Sequence, residues 1–219
     1  MECTLLYTII IILLIGYLIG CVHGSTIAKL LSGVNLKEVG HGNAGASNAT
    51  LSLGWKYGVL VAFIDIGKGL LAIVILRFYL TDFGTFTVGQ MSLLLYMIGA
   101  AVILGHNFPL HMKFRGGKGT ASLIGIFIAL NWELGLISLL AFVAVSLLTN
   151  YLLIGVFVLY LLFGLTALLS EATIWPFFIT LILFFIALFL HLENINRMRL
   201  GTEPKVTAAF KKKVRSTAE

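Results

Sequence analysis

The sequence predicts an all-α integral membrane protein with about seven transmembrane helices, an outside N-terminus and a cytoplasmic C-terminus. The composition is the first reason, because 59% of the 219 residues are hydrophobic and only 11% are charged, which excludes an ordinary soluble domain. The second reason is that apolar stretches close to the length needed to cross about 30 Å of hydrocarbon recur from end to end. The third is that the positive charges gather on one side of these stretches.

The apolar stretches divide the chain into seven candidate spans. They cover residues 3–22, 55–79, 88–105, 118–131, 134–149, 151–169 and 174–191. The fourth and fifth are short for spanning helices, so we expect either a hairpin of tilted helices or one re-entrant segment. Residues 1–205 then form a single polytopic membrane domain, and residues 206–219 form a basic cytoplasmic tail.

The first span is expected to stay attached to the protein. The letters LIGC at 18–21 resemble a lipoprotein processing site, but the start Met1-Glu2 lacks the cationic region that precedes such a site. Cys3 and Cys21 would lie about 27 Å apart along one helix. We therefore expect neither a disulfide nor a metal site from the cysteines.

The charge distribution sets the orientation. If the chain starts outside, the first, third and seventh spans end inside. The inner connections and tail then carry Lys29, Lys37, Lys56, Lys113, Arg115, Lys118, Arg197, Arg199, Lys205, Lys211, Lys212, Lys213 and Arg215. The outer side carries Arg77 alone, which is the bias expected of cytoplasmic loops. The net charge of +6 predicts contact with anionic lipid headgroups through the tail, and not with nucleic acid, because the chain has no basic domain.

Three segments rich in glycine, asparagine and cations interrupt the apolar chain. They cover residues 40–58, 105–120 and 191–205, and each follows a span that ends inside. Irregular backbone cannot lie against hydrocarbon, because nothing there would satisfy its N–H and C=O groups. The three segments are therefore expected to line one polar site, and their composition suits a phosphate group.

The first segment combines glycines with uncharged donors. These residues are Gly40, Gly42, Asn43, Gly45, Ser47, Asn48 and Thr50. Glycine allows successive N–H groups to point at one anion, and the polar side chains add donors without charge. A helix beginning near Asn48 or Gly54 would aim its positive end at the same place. The alternative is an ordinary polar loop built from turn residues.

The second segment places Gly116-Gly117-Lys118-Gly119 at the start of the fourth span. This arrangement combines backbone donors, a helix dipole and a lysine charge at one point. The spacing is not that of a Walker A motif, so no nucleotide is inferred. A positive-inside signal would explain the neighbouring cations equally well, but it does not explain the glycines on both sides of Lys118.

The third segment carries His191, Asn194 and Arg197 at intervals of three, which puts them on one stripe if the helix continues. His191 is the strongest general-base candidate in that stripe, and the alternative is an interfacial polar cap. Asp65 and Lys68 lie one turn apart inside the second span. They are expected to form a structural ion pair under the site, which lowers the cost of burying charge in lipid.

Several stretches carry a family resemblance when they are taken together. They are GNAGASN with the following LGWKYG, DIGKG, GHNFP with FRGGKGTA, and HLENINR with GTEPK. In this order and separation, across nearly the whole chain, they resemble the bacterial membrane acyl-phosphate:glycerol-3-phosphate acyltransferases.

The resemblance implies a seven-span fold in the bacterial plasma membrane with its active site facing the cytoplasm. The implied reaction moves a fatty acyl group from acyl phosphate to the sn-1 hydroxyl of glycerol 3-phosphate, giving lysophosphatidate and phosphate. It implies no metal, no cofactor and no acyl-CoA, and its other partner would be the enzyme that supplies acyl phosphate.

Two substrates with phosphate groups need two anion cradles, which the polar segments can supply. The expected catalytic residues are Lys118, His191, Asn194, His106 and Asn43. The expected phosphate contacts are His41, Gly42, Gly45, Ser47, Asn48, Gly116, Gly117, Gly119 and Arg197. Acyl phosphate is already activated, so positioning and charge stabilisation suffice without a covalent intermediate.

Two departures from the family pattern keep other functions open. His41 stands where the family usually has serine, and Leu51 stands where it usually has arginine. A divergent paralogue that acylates another phosphorylated acceptor is therefore one alternative, and an inactive scaffold is another. A transporter of a phosphorylated metabolite is the third, because charged residues lie inside a span. The lack of a repeat between the two halves and the crowding of polar residues at one face count against it.

Overall fold

The computed structural model describes residues 2–83 and 85–210, in which every regular element is helical. The helices are α1 Glu2–Gly20, α2 Gly24–Ser32, α3 Ala46–Leu53, α4 Trp55–Phe83, α5 Val88–Asn107, α6 Thr120–Leu130, α7 Trp132–Thr149, α8 Leu152–Ser170, α9 Trp175–Leu190 and α10 Leu192–Arg199. Two short 3₁₀ turns cover Leu110–Met112 and Val206–Phe210. The four cations predicted for the tail after residue 210 lie outside the described residues.

The seven apolar stretches correspond to α1 and α4–α9. Within the described residues, five helical stretches are long and apolar enough to cross a membrane, and α9 with α10 makes a sixth if this pair, bent by 51°, counts as one span. The 11 residues of α6 rise only about 16 Å, roughly half of a bilayer core. The chain is therefore a multi-pass helical membrane protein, and the count of seven spans stays a prediction.

Small residues bring α1 and α5 into direct backbone contact. A Cβ atom added at Gly20 would lie 2.2 Å from the carbonyl oxygen of Val102, and one added at Gly105 would lie 2.1 Å from that of Tyr17. Close approach through glycine is a usual way for membrane helices to pack. It places the last turn of α1 beside the last turn of α5.

The short helix α6 packs closely against α4 through the same device. A Cβ at Gly69 would meet the carbonyl oxygen of Ser122 at 2.4 Å, and one at Gly125 would meet that of Ile66 at 2.0 Å. Residues 122–127 of α6 are buried, and α6 also contacts α5 and α7. The helix therefore starts inside the bundle, next to the end of α5.

Polar contacts gather at two opposite ends of the bundle. At the far end, Arg77 Nη2 donates to Leu130 O at 3.0 Å and Ser92 Oγ donates to Glu171 Oε2 at 2.5 Å. The other end, called the site end below, holds the final residues of α1, α5 and α9 and the beginning of α6. All three polar segments lie at the site end, whereas its orientation towards the cytoplasm stays a prediction.

Candidate active site

The buried amide of Asn48 organises the loop that precedes α3. The two hydrogens of its Nδ2 are shared among the carbonyl oxygens of Leu36, Val39 and Asn43 at 2.9, 3.1 and 2.9 Å, and its Oδ1 accepts from His41 N at 3.0 Å. Asn48 is only 3% exposed. Its amide is used inside the loop in this structure, and the prediction that Asn48 holds a substrate phosphate stays a prediction.

The predicted anion loop has the expected turn geometry and leads directly into a helix. Gly40 and Gly42 adopt φ values of 58° and 65°, which favour glycine. Helix α3 begins at Ala46, two residues before Asn48, and α4 begins at Trp55, directly after Gly54, so a helix starts near each of the two predicted positions. Ser47 is exposed in its first turn. The residues before and at the start of α3 therefore remain open to a ligand.

Two of the predicted phosphate contacts are already satisfied by the end of α5. Gly116 N donates to Asn107 O at 3.0 Å, and Gly117 N donates to His106 O at 3.1 Å. These N–H groups therefore point at carbonyl oxygens of α5. Gly116 and Gly117 thereby anchor the connection between α5 and α6, and their predicted contact with phosphate stays a prediction.

Lys118 and Gly119 lie directly before the first turn of α6, and their predicted roles in catalysis and phosphate binding stay predictions. Helix α6 begins at Thr120, and the first bond of its ladder runs from Leu123 N to Gly119 O at 2.8 Å. Gly119 has a φ of 81°, a left-handed conformation that favours glycine. In the described part of the chain, no backbone carbonyl accepts from the N–H of Lys118 or Gly119. These N–H groups lie at the positive end of α6, next to the half-buried side chain of Lys118 in the sequence.

A chain of hydrogen bonds joins the second polar segment to the third. Lys118 Nζ donates to Asn194 Oδ1. Asn194 Nδ2 then donates to Glu203 Oε1 at 2.6 Å, and Arg197 Nε donates to Glu203 Oε2 at 2.7 Å. Glu203 thereby fixes which way the Asn194 amide points. The sequence analysis did not select Glu203, although it lies within the GTEPK stretch of the resemblance.

Several cations share this end and influence one another. Burial and the nearby positive charge of Arg197 lower the pKa of Lys118 to about 8. Burial and Arg115 lower the pKa of Lys37, which lies in the loop before α3. The loop of the first segment therefore approaches the second and third segments. Clustered cations that repel one another favour an anion between them.

His191 lies at the 51° bend between α9 and α10. Because of this bend, the predicted stripe on one helix contains only Asn194 and Arg197, which both contact Glu203, and His191 precedes α10. The Nδ1 atom of His191 lies 2.8 Å from Ala187 O. A carbonyl oxygen only accepts, so Nδ1 carries the hydrogen and Nε2 keeps a lone pair. The imidazole is thus in the tautomer that a general base requires.

The expected ion pair is present under the connection between α5 and α6. Lys68 Nζ lies 3.0 Å from Asp65 Oδ1 and 2.8 Å from His106 Nδ1. His106 is only 2% exposed, because Gly117 covers its ring. It lies behind the connection and not in the open site, which corrects the prediction of a catalytic role in direct contact with substrate.

Sequence reasoning missed His23, whose ring stacks on that of His106 with centroids 4.5 Å apart. Its only signal was a histidine directly after the first apolar run. Ligand atoms of His23, Asp65 and His106 lie within 4.8 Å of one another. The set does not suit a metal ion, because the ammonium of Lys68 already engages Asp65 and His106. The lone pairs of two stacked rings also lie in nearly parallel planes and do not converge.

The segment after α10 is tied back to the site end. Thr207 N donates to Asn150 Oδ1 at 2.9 Å, and Val206 N donates to Asn150 O at 3.1 Å. Lys205 Nζ donates to the hydroxyl of Tyr151 at 2.5 Å. These contacts hold the segment that carries Glu203 against the turn between α7 and α8.

The fold and the site together define an integral membrane protein with an anion-binding end built from three connecting segments. The chain belongs to the glycerol-3-phosphate acyltransferase family, whose pattern matches residues 10–201. The resemblance inferred from the sequence is thereby confirmed, and the protein is a membrane acyltransferase of phospholipid synthesis.

Relatives and solved structures agree with this assignment. Over 200 residues the chain is 41% identical to glycerol-3-phosphate acyltransferase 1 of Oceanobacillus iheyensis, covering 91% of this chain and 96% of that protein. It is 33% identical to the Aquifex aeolicus glycerol-3-phosphate acyltransferase over 194 residues, covering 88% and 96%.

Two crystal structures of PlsY, an integral membrane glycerol 3-phosphate acyltransferase, have a similar fold. The glycerol 3-phosphate form has a TM-score of 0.78 at 32% identity and covers 90% of this chain and 94% of that one. The lysophosphatidic acid form has a TM-score of 0.78 at 30% identity and covers 93% and 99%.

Proposed function

We propose that this acyltransferase moves a fatty acyl group from an acyl phosphate to the sn-1 hydroxyl of glycerol 3-phosphate. The products are lysophosphatidate and inorganic phosphate. The observation that carries the proposal is the bond between Lys118 and Asn194, which joins two polar segments at the start of α6. The named forms of the PlsY structures support the acceptor and the acylated product.

The first phosphate is held at the start of α6. Lys118 supplies a positive charge, and the N–H groups of Lys118 and Gly119 supply donors along the helix dipole. Asn194 and Arg197 complete this cradle, because Glu203 holds both side chains in a fixed orientation. Such preorganised donors stabilise charge without rearranging during the reaction.

The second phosphate is held by the loop that leads into α3. Asn43, Gly45 and Ser47 surround the start of this helix, and the exposed His41 and the half-buried Gly42 lie in the preceding turn. Lys37 brings a cation to the same loop. It offsets in part the neutral Leu51, which is half-buried on α3.

The reaction needs only alignment of the two bound substrates. The acceptor oxygen forms a bond to the acyl carbon, and the bond between that carbon and the bridging phosphate oxygen breaks. The hydroxyl proton passes either to Nε2 of His191 or to the departing phosphate. Phosphate is a good leaving group, so positioning and charge stabilisation account for the catalysis.

The site end is proposed to face the cytoplasm of a bacterial cell. Lys118, Arg115 and Arg197 lie at this end, and the cytoplasmic side of a membrane protein carries the excess of lysine and arginine. The acyl chain remains among the helices and lipid, while the phosphorylated acceptor arrives from water.

The proposal is tested with purified protein in lipid supplied with palmitoyl phosphate and a panel of phosphorylated acceptors. We expect lysophosphatidate with glycerol 3-phosphate, detected by mass spectrometry, and faster turnover when Leu51→Arg adds a cation. Acyl transfer to a different acceptor only would identify a divergent paralogue. Flux of glycerol 3-phosphate across liposomes without acyl transfer would identify a transporter.

The pH dependence of the reaction follows from Lys118. A lysine normally keeps its charge to about pH 10, but the pKa of Lys118 is lowered to about 8. The charge is therefore present below this pH and is lost as the pH rises through it. We expect kcat/KM for glycerol 3-phosphate to fall above about pH 8, measured between pH 6.5 and roughly 9.5.

The matched control for this profile is Lys118→Arg, since arginine stays charged throughout that range. This variant is expected to be slower but to lose the alkaline fall. The acceptor phosphate does not contribute, because its second ionisation lies near pH 6. A profile that stays flat to pH 9.5 in the unmodified enzyme would contradict the assignment of Lys118.

A further inference from the structure

The ammonium of Lys68 joins three separate parts of the bundle. It donates to Gly20 O at 3.0 Å and to Val22 O at 2.6 Å, both at the end of α1. It also contacts Asp65 on α4 at 3.0 Å and Nδ1 of His106 on α5 at 2.8 Å. Lys68 is 7% exposed and Asp65 1%. The three hydrogens of the ammonium are thus shared among four partners in the interior.

These contacts decide the tautomer of His106. Lys68 is paired with a carboxylate and, as an ammonium, can only donate. Because the ammonium is closer to Nδ1 of His106 (2.8 Å) than the Asp65 carboxylate is (3.6 Å), we assign Nδ1 as the acceptor, which leaves the ring hydrogen on Nε2. The stacked ring of His23 holds the plane of His106 from one side. The imidazole is consequently fixed in both its orientation and its hydrogen position.

His106 in turn supports the residues that precede Lys118. Its carbonyl oxygen accepts from Gly117 N at 3.1 Å. Its Nε2 atom lies only 2.1 Å from the position that a Cβ at Gly117 would occupy. The ring therefore fills the space that a side chain at 117 would need. A shift of this ring would move the backbone one residue before Lys118.

We propose that Lys68 is a positioning residue for acyl transfer: with Asp65 it fixes His106, and His106 fixes the backbone that presents Lys118 to phosphate. This inference rests on the proposed function. A buried ion pair is costly in a membrane, and apolar residues of similar size would fill the space at lower cost. Apolar residues would not, however, fix the hydrogen of an imidazole.

The test is a double variant, Asp65→Asn with Lys68→Met, which removes both charges at once. Asparagine keeps an oxygen for Gly24 N, which donates to Asp65 at 3.2 Å, and no unpaired charge remains in the interior. We expect kcat/KM to fall by about 10²-fold, the loss typical of a misplaced reacting geometry. Activity is normalised to monodisperse protein with an intact thermal transition.

Two further variants frame this result. His106→Gln keeps an acceptor for Lys68 but removes the ring behind Gly117, and it is expected to lose activity to a similar extent. His106→Gln therefore tests the positioning role even if the double variant does not fold. Ser92→Ala removes a buried polar contact at the far end and is expected to retain full activity per folded molecule.

Adding Lys118→Arg to the double variant distinguishes a positioning role of Asp65 and Lys68 from a purely structural one. If the pair positions Lys118, adding Lys118→Arg to the double variant should lower kcat/KM by less than about 3-fold more. The cation at position 118 is then already misplaced, so changing it costs little further activity. If the loss of kcat/KM in the combined variant equals the product of the losses in Lys118→Arg and in the double variant, the inference is overturned. Histidine labelled with ¹⁵N gives an independent signature: we expect His106 to be protonated at Nε2 in the unmodified enzyme and to become mixed in the double variant.

The same assay separates the two proposals. If the unmodified enzyme does not acylate glycerol 3-phosphate, the proposed function fails. If it is active and the double and His106→Gln variants are equally active, only the positioning role fails. An Nδ1-protonated His106 in the unmodified enzyme would also overturn it.

Discussion

Lys118→Met is expected to lower kcat/KM by about 10³-fold, the upper range for removing one preorganised donor from a transition state. Methionine keeps most of the length of the side chain but brings no charge and no donor. The phosphate at the start of α6 would lose its closest cation, and Asn194 Oδ1 would lose its donor. Steady-state acyl transfer in lipid, with both substrates varied, measures the effect.

Lys113→Met is the matched control, because Lys113 is an exposed lysine on the same connection between α5 and α6. It is expected to change kcat/KM by less than about 3-fold, since an isolated surface charge contributes little. Equal losses in the two variants would mean that general positive charge, and not a lysine at position 118, supports the reaction.

Gly117→Ala is expected to lower kcat/KM by about 10²-fold. The added Cβ would lie 2.1 Å from His106 Nε2, so either the ring or the backbone must move. The ring is held by Lys68 and His23, which leaves the backbone before Lys118 to shift. The variant should still fold, and its activity is compared with the unmodified enzyme at equal amounts of monodisperse protein.

Gly67→Ala is the control for this substitution. A Cβ at Gly67 meets nothing within 4 Å, and alanine is the better helix former. Unchanged activity is therefore expected, together with equal or higher thermal stability. If Gly117→Ala were as active as Gly67→Ala, the tight contact with His106 would have no influence on the lysine.

The buried network under the site explains why a charged pair lies inside the second span. Asp65 and Lys68 were expected to pair from their spacing alone, and they do. Their consequence for His106 was not visible in the sequence, because the partners lie 38 residues apart. The pairing links α1, α4 and α5 at the level of the connection that carries Lys118.

Residues that the sequence selected separate into two groups in the structure. Lys118, Asn194 and Arg197 meet around Glu203, as the convergence of polar segments predicted. Asn48 and the N–H groups of Gly116 and Gly117, by contrast, are satisfied within the protein. Glycine and asparagine serve both to bind anions and to build turns, so composition could not separate these two uses.

The helical membrane class, the family and the three polar segments could be predicted from the sequence, because apolar length and motif order are local properties of the chain. The tertiary structure decided which polar groups remain free for substrate. Lys118 and Asn194, 76 residues apart, meet in a hydrogen bond, and His106 is buried behind Gly117. Hydrogen-bond partners of this kind depend on how helices pack, and each donor or acceptor that packing satisfies is no longer available to bind phosphate.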